Sequence, residues 1–248
     1  MLTQITVLLL AGLFCPAPRP SDADILVFSR TAGFRHDSIE PGTAAIRRLA
    51  TESGYGILAT EDGRVFTDAN LASTGVVVFL NTTLDVLDDS QQSALTRFVR
   101  AGGGFVGIHS AADTEYDWPW YGQMVGAYFD GHPNNPNVRE GVVLIMDSTH
   151  ASTQCLPDPW VRTDEWYDYR YVNPDVNVLL LAEDTSYKRP EENPPSEPHP
   201  ISWYHEFDGG RVFYTGLGHT SESFTERLYL YHIWGGIQYA LGETASPN

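Results

Sequence analysis

The chain has 248 residues, a length typical of one large α/β domain, and its 42% hydrophobic and 19% charged residues exclude wholesale disorder. It carries 15 Lys and Arg against 32 Asp and Glu, which gives a formal net charge of −17. We therefore expect neither nucleic acid nor a membrane surface as a partner, because both are bound through basic surfaces. Neutral sugars and metal cations remain compatible with this charge.

The first 23 residues resemble a secretory signal peptide. Ile5–Phe14 is a short apolar run, and Ser21–Ala23 offers small residues for cleavage, although the first four residues contain no Lys or Arg. A buried first helix is the alternative. We expect residues 1–23 to be a signal peptide, 24–242 one domain and 243–248 a tail, in an extracellular or periplasmic protein. The cysteines are Cys15 and Cys155, which excludes a cysteine-based metal cluster.

Strands and helices alternate through the first half of the domain. The pattern predicts strands at 25–29, 55–60, 76–80 and 105–108, helices at 42–53 and 90–101, and a short turn or helix at 66–71. Such alternation predicts a parallel sheet of at least five strands with helices on both faces. The segments 76–80 and 105–108 are the most uniformly apolar, so we expect them to be central.

The second half continues with further strands and a closing helix. Strands are predicted at 141–146, 177–182, 200–206 and 211–216, and a helix at 228–241. Asp208-Gly209-Gly210 predicts a hairpin between the last two strands.

The stretch "GFVGIHSAAD", residues 104–113, reads as a strand, a tight turn of small residues and the start of a helix. Many α/β enzymes expose a nucleophile on such a strained turn. His109 stands at the tip, where Ser or Cys would be expected, so we predict unusual backbone dihedral angles at His109.

Five histidines lie in loops after predicted strands or in turns rich in Gly and Pro: His36, His109, His132, His199 and His219. Ligands bind at the carboxyl ends of the strands in open α/β sheets, and we expect His36 and His109 to follow adjacent strands. We predict that at least three of the five share a cleft. His36, His109, His132 and His219 would then bind Zn²⁺ or a similar divalent metal. Alternatively, each histidine ties its own loop to nearby backbone.

Other side chains complete the predicted site. Asp113 and Glu165 are candidate acids or orienting groups beside His36, His109 and His219, although Glu165 could instead pair with Arg162. Ser110 could belong to a triad with His219 and Glu222. Four aromatic and two polar side chains are candidate substrate contacts. The aromatics could stack on a sugar ring but could equally be core residues. The six residues are Trp118, Trp120, Tyr121, Trp166, Arg162 and His199.

Several motifs together resemble the ThuA-like, trehalose-utilisation family. They are "GFRHDSI", "GGGFVGIHSAADTEYDWPWYGQMVGAYFDGHP", "RTDEWYDYR" and "HPISWYHEFDGGRVFYTGLGHT", and the resemblance spans about residues 24–242. It implies a flavodoxin-like, class I glutamine-amidotransferase-like fold, an α/β three-layer sandwich with a mainly parallel central sheet. The amidotransferases carry a nucleophilic Cys at the turn. His109 replaces that Cys, so ammonia production from glutamine is not expected.

The resemblance also implies a role in disaccharide utilisation, particularly of sugars oxidised at C3 to the keto form. We expect a secreted carbohydrate-active domain that isomerises, eliminates or hydrolyses a small-molecule sugar in a His-rich cleft. Two alternatives remain, a non-catalytic sugar-binding module and a hydrolase that uses Ser110.

Overall fold

The computed structural model describes residues 24–192 and 198–243. The predicted signal peptide and residues 244–248 of the predicted tail lie outside the described residues. The strands are β1 (Ile25–Phe28), β2 (Ile57–Thr60), β3 (Val76–Leu80), β4 (Gly104–Ile108), β5 (Ala127–Gly131), β6 (Val138–Ile145), β7 (Trp160–Glu165), β8 (Asp168–Val172), β9 (Asn177–Glu183), β10 (His199–Phe207) and β11 (Gly210–Thr215). The α-helices are α1 (Ile39–Glu52), α2 (Asp68–Leu71), α3 (Asp89–Arg100), α4 (Pro119–Val125), α5 (Asp184–Tyr187) and α6 (Arg227–Leu241).

Nine strands form one sheet in the order β2-β1-β3-β4-β11-β10-β9-β6-β7. The first five strands of this order are parallel to one another. The remaining four extend the sheet in antiparallel pairs. β5 and β8 pair separately as a two-stranded antiparallel sheet.

Alternate side chains of the central strands enter different apolar layers, as strand geometry requires. In β3, Val76 and Val78 pack in the layer that contains Ile46 of α1 and Ile233 of α6. Val77 and Phe79 pack in the opposite layer, with residues of α2, α3 and α4. All five residues of β3 are buried. Helices therefore cover both faces, and the predicted α/β fold class is confirmed.

The parallel sheet of five strands was predicted correctly, and β3 and β4 lie inside it. The sequence pattern missed β5, β7, β8 and α4. In β7, polar side chains that include Arg162 and Asp164 are buried, so the apolar alternation that marks a strand is absent. The prediction that His36 and His109 follow adjacent strands was wrong, because β3 lies between β1 and β4.

Among residues 24–192 and 198–243, no helix has the length and apolar character needed to cross a bilayer.

Candidate functional site

The turn after β4 is strained at its tip, as predicted. His109 has a φ of +50°, and the 3-10 helix His109–Asp113 starts there. The crossing is tight, since a Cβ atom on Gly107 would lie 3.2 Å from the Ala111 Cβ and 3.0 Å from Tyr214. A left-handed conformation is costly for a residue with a side chain, and such strain concentrates at functional sites.

Three of the predicted histidines converge with one carboxylate beside this turn. His36, His109, His219 and Glu165 each offer one ligand atom, and these four atoms all lie within 4.8 Å of one another. Oε2 of Glu165 is 3.3 Å from Nε2 of His109 and 3.0 Å from Nδ1 of His219. We call these four residues the His/Glu cluster. Three of the five histidines predicted to share a site therefore lie together, while their role in catalysis or metal binding stays a prediction.

A backbone carbonyl fixes the orientation of the His109 ring. Nδ1 of His109 lies 2.7 Å from the carbonyl oxygen of Gly216 and donates its proton to it. The lone pair of a neutral His109 is therefore on Nε2, which points into the cluster. The ring of Tyr167 covers His109, with centroids 4.1 Å apart. Ligand histidines in metalloproteins are commonly held by such an outer hydrogen bond.

Glu165 also contacts a second set of side chains through its other oxygen. The side chain of Asn137 donates a hydrogen bond of 2.5 Å to Oε1, and Nε2 of His132 lies 3.5 Å away from the same atom. Burial favours the neutral acid, but the polar and coulombic interactions with His109 and His219 together outweigh it and hold the pKa of Glu165 well below its usual range. Glu165 is thus an ionised carboxylate at the centre of three histidines.

The loop that carries His219 is held in place by hydrogen bonds to a buried carboxylate. Asp164 accepts hydrogen bonds from the backbone N–H of Gly218 at 2.8 Å and of His219 at 3.0 Å. Arg162 in turn pairs with Asp164 at 2.9 Å, and both side chains are almost completely buried. Burial lowers the pKa of the His219 imidazole, but the hydrogen bond to Glu165 and the charges of Glu165, Asp164 and Asp37 together outweigh it, and the net shift is upward.

His36 reaches the cluster from the loop after β1. Its ring meets those of His109 and His219 edge to face, with centroids 4.9 and 5.0 Å apart. Burial, with the nearby histidines, lowers the pKa of His36 to about 2. Such an imidazole stays neutral at ordinary pH and holds a proton weakly, which favours the predicted role of ligand over the predicted role of base.

The donor set of the cluster could hold a metal ion. Three imidazoles and one carboxylate are ligands that Zn²⁺ and other first-row divalent metals use. Asp168, Asp184 and His199 form a second group of potential ligands. In that group the ammonium of Lys188 lies 2.6 Å from Asp168 and 3.0 Å from Asp184. Lys188 therefore already neutralises these carboxylates, which makes this group a weaker candidate for a metal site.

Backbone strain is concentrated around the His/Glu cluster. Non-glycine residues with positive φ include His109 and three others in the loops beside it, Asn81, Leu84 and Glu115. Leu84 and Glu115 are linked by a backbone hydrogen bond of 3.2 Å. Asn81 is fully buried and donates to Ser38 Oγ at 2.8 Å, so the folded chain does not expose Asn81-Thr82-Thr83, which has the Asn-x-Thr pattern of a glycosylation sequon.

The predicted aromatic wall lies elsewhere. Tyr121 is fully buried, with its hydroxyl on the Ala111 carbonyl. Trp118 stacks on Trp120, whose Nε1 donates to Asp208 at 2.8 Å. Asp208 precedes β11, at the amino end of the parallel strands, whereas the cluster lies at their carboxyl end. Core packing, the alternative stated for these aromatics, describes Tyr121, whereas Trp118 and Trp120 are half-buried and pack against the edge of the same core.

Four further predicted residues also lie outside the cluster. Trp166 is fully buried and donates to the Arg139 carbonyl at 2.9 Å, which gives it a packing role in place of stacking. Arg162 pairs with Asp164 and not with Glu165. His199 forms a 2.6 Å contact with Asp184 in the second group. Asp113 accepts a hydrogen bond of 2.6 Å from Tyr116, and burial raises its pKa.

Sequence reasoning missed several residues that build the site. Asp164 directly precedes Glu165 and Tyr167 lies two residues after it in "RTDEWYDYR"; the motif contains both residues, but neither was assigned a role at the site. Asn137 follows the Pro-rich turn after His132. Phe34 precedes His36 in "GFRHDSI", and its ring is 66% exposed beside the His36 ring.

The comparison with protein families gives a direct assignment. The family model described as "ThuA: Trehalose utilisation" matches residues 24–240. The chain belongs to the ThuA family. No curated protein is similar enough to this ThuA-family chain to count as a match.

Solved structures with the same fold include two ThuA-like proteins. One, from Bacteroides uniformis, is 20% identical with a TM-score of 0.72, and the match covers 94% of this chain and 98% of that one. Another, from Parabacteroides merdae, is 18% identical with a TM-score of 0.69, covering 92% and 93%. A β-galactosidase from Bacillus circulans is 12% identical with a TM-score of 0.57; the match covers 90% of this chain but 31% of the galactosidase. These likenesses show the fold of this ThuA-family member.

Proposed function

We propose that this ThuA-family chain is a carbohydrate-active enzyme that moves a proton on a sugar oxidised to the 3-keto form. The observation that carries the proposal is the convergence of His36, His109, His219 and Glu165 beside a strained turn. The family description, which refers to trehalose utilisation, supports a sugar as the substrate.

The cluster fits a divalent metal, and His36, His109, His219 and Glu165 would hold it. Such an ion would supply Lewis acidity, which polarises a carbonyl oxygen of the substrate. A keto group acidifies the C–H bond next to it, so the remaining requirement is a base that can reach that proton.

His132 is the side chain that meets this requirement. Its side chain is 26% exposed, whereas those of His109 and Glu165 are 0% and 4% exposed. Nδ1 of His132 lies 2.9 Å from the Pro133 carbonyl, and an N–H at that atom leaves the lone pair on Nε2. Nε2 would take the proton from the carbon, and Oε1 of Glu165, 3.5 Å away, would stabilise the imidazolium that forms.

The proton transfer accounts for two of the predicted reactions. If His132 returns the proton to a different carbon of the enediol, the sugar is isomerised. If the bond to the glycosidic oxygen breaks instead, the leaving group takes the proton and elimination results. A cavity of about 470 Å³ lies beside His132, and its lining includes Asn134, Asp168 and Lys188, which offer hydrogen bonds to sugar hydroxyls.

The direct test is hydrogen exchange in D₂O with methyl 3-keto-α-D-glucopyranoside, followed by NMR. We expect the zinc-loaded protein to incorporate deuterium next to the carbonyl and the His132→Gln variant to lose that activity. The matched control is His199→Gln, a histidine outside the cluster. If the wild-type protein binds the keto-glucoside but exchanges no proton and forms no product, it is a sugar-binding module and the proposed reaction is wrong.

A further inference from the structure

Phe34 is a large apolar side chain that the fold leaves exposed beside the His/Glu cluster. Its ring is 66% exposed. It meets the ring of His36 edge to face, with centroids 4.8 Å apart. His36 itself is 4% exposed, so Phe34 stands between the buried cluster and solvent on this side.

The backbone around Phe34 is well fastened. The three consecutive residues Ala32, Gly33 and Phe34 are all hydrogen-bonded through their backbone to Thr83, which is fully buried. The Ala32 N–H donates to the Thr83 carbonyl at 2.9 Å, and the Gly33 N–H donates to Thr83 Oγ1 at 3.1 Å. Thr83 Oγ1 donates to the Phe34 carbonyl at 3.0 Å. The ring is therefore presented to solvent by a loop with fixed hydrogen bonds, which is the way a binding surface is preorganised.

A second exposed apolar residue extends the same surface. Leu84 is 42% exposed, and it packs so closely on Gly33 that a Cβ atom there would lie 2.9 Å from Leu84 Cδ1. Leu84 has a φ of +58°, a conformation that is costly for leucine. The fold thus accepts both an exposed apolar side chain and backbone strain at this position, next to Phe34.

We propose that Phe34 is the platform on which a pyranose ring of the substrate stacks. This inference rests on the proposed function. A pyranose has one apolar face of C–H groups and a rim of hydroxyl groups. Phe34 offers an uncharged ring to the C–H face, while the neighbouring cluster offers polar groups to the keto edge. The predicted stacking aromatics lie elsewhere, and Phe34 takes the role that was assigned to tryptophan.

The test compares Phe34→Ala and Phe34→Tyr with the wild-type protein, by deuterium exchange into methyl 3-keto-α-D-glucopyranoside and by zinc titration. The matched control is Tyr171→Ala, because Tyr171 is an aromatic residue of similar exposure, 63%, on β8. For Phe34→Ala we expect KM to rise about tenfold, as loss of about 1.4 kcal/mol of contact energy would produce. We expect kcat and zinc affinity to be unchanged, and Phe34→Tyr to restore KM.

The outcomes separate this inference from the proposed function. If the wild-type protein exchanges deuterium and Phe34→Ala has the same KM, Phe34 is no platform, while the proposed function stands. If Phe34→Ala instead weakens zinc binding, it acts through the position of His36, and the inference is wrong. If only self-association changes, measured by sedimentation, the ring is covered by a second copy and the inference is also overturned. Absence of both exchange and sugar binding in the wild-type protein overturns the proposed function and this inference together.

Discussion

Nε2 of His109 lies 3.3 Å from Oε2 of Glu165, although the two residues come from distant parts of the sheet. His109 follows β4, and Glu165 ends β7, with β11, β10, β9 and β6 between these strands in the sheet order. Neighbouring strands are about 4.8 Å apart, so a flat sheet would hold β4 and β7 more than 20 Å apart. The sheet must therefore curve to bring Glu165 back over the turn at His109.

Asp164→Asn should destabilise the protein and loosen His219. The carboxylate accepts the N–H groups of Gly218 and His219 and neutralises Arg162. Removing the buried carboxylate leaves Arg162 with only the more exposed Glu226, 3.6 Å away, so we expect a loss of about 3 kcal/mol or more in the free energy of unfolding, measured by urea denaturation. The control is Asp62→Asn in the exposed pair with Arg64, where little change is expected. A loss no larger than in the control would contradict the role given to Asp164.

The pH dependence of the stability of the metal-free protein should reflect the ion pair between Glu165 and His219. The raised pKa of His219 adds stability that is fully present below its ordinary value of 6.5 and is lost as the pH rises through the folded-state pKa. The lowered pKa of Glu165 adds stability present above its ordinary value of 4.5 and lost as the pH falls through the folded-state pKa. We expect the Tm of the wild type to exceed that of Glu165→Gln most between these limits, in chelator-treated samples.

Zinc affinity should rise with pH, whereas the contribution of His219 to the stability of the metal-free protein falls with pH. A metal ion needs the neutral imidazole, so binding displaces the proton that Glu165 helps His219 to keep. Zinc affinity measured by calorimetry should rise as the pH increases through the raised pKa of His219, with proton release into the buffer. An affinity that stays constant over pH 6 to 8 would show that His219 is not a ligand.

Ser110→Ala should leave the exchange activity largely intact. Ser110 is fully buried, and its Oγ lies 3.4 Å from Nδ1 of His36, too far for a strong hydrogen bond. Loss of a true serine nucleophile lowers kcat by about six orders of magnitude. A loss of that size, measured on the keto-glucoside with zinc content unchanged, would favour the alternative hydrolase.

Trp120→Phe should leave KM for the keto-glucoside unchanged. The indole donates to Asp208 at the edge of the sheet away from the cluster, and it packs on Trp118 and Phe207. The expected effect is a small loss of stability, detected as a lower Tm, because one hydrogen bond to a carboxylate is removed. A rise in KM comparable to that expected for Phe34→Ala would show that Trp120 contacts the substrate.

Local patterns were sufficient for the part of the fold that is built from regular, apolar elements. The strands β3 and β4 follow from uniformly apolar runs, and the strain at His109 follows from the small residues around it. The hairpin between β10 and β11 follows from Asp208 and Gly209, which both adopt positive φ.

The contacts of Glu165 could not be predicted in the same way. Pairing with Arg162 was one of the two alternatives for it, but Arg162 pairs with Asp164, which holds the His219 loop. Alternation along β7 places Asp164 and Glu165 on different sides of the strand. Which side faces the histidines depends on the curvature of the sheet, a long-range property with no local sequence signal.

The most direct test of the account is the metal content and zinc affinity of the purified protein, measured by elemental analysis and calorimetry. We predict one tightly bound divalent ion per chain, a loss of binding in His109→Ala and Glu165→Gln, and full binding in His199→Gln, which alters the second group of potential ligands. Failure of the wild-type protein to bind zinc, or binding that survives in both cluster variants, would contradict the assignment of His36, His109, His219 and Glu165 as a metal site.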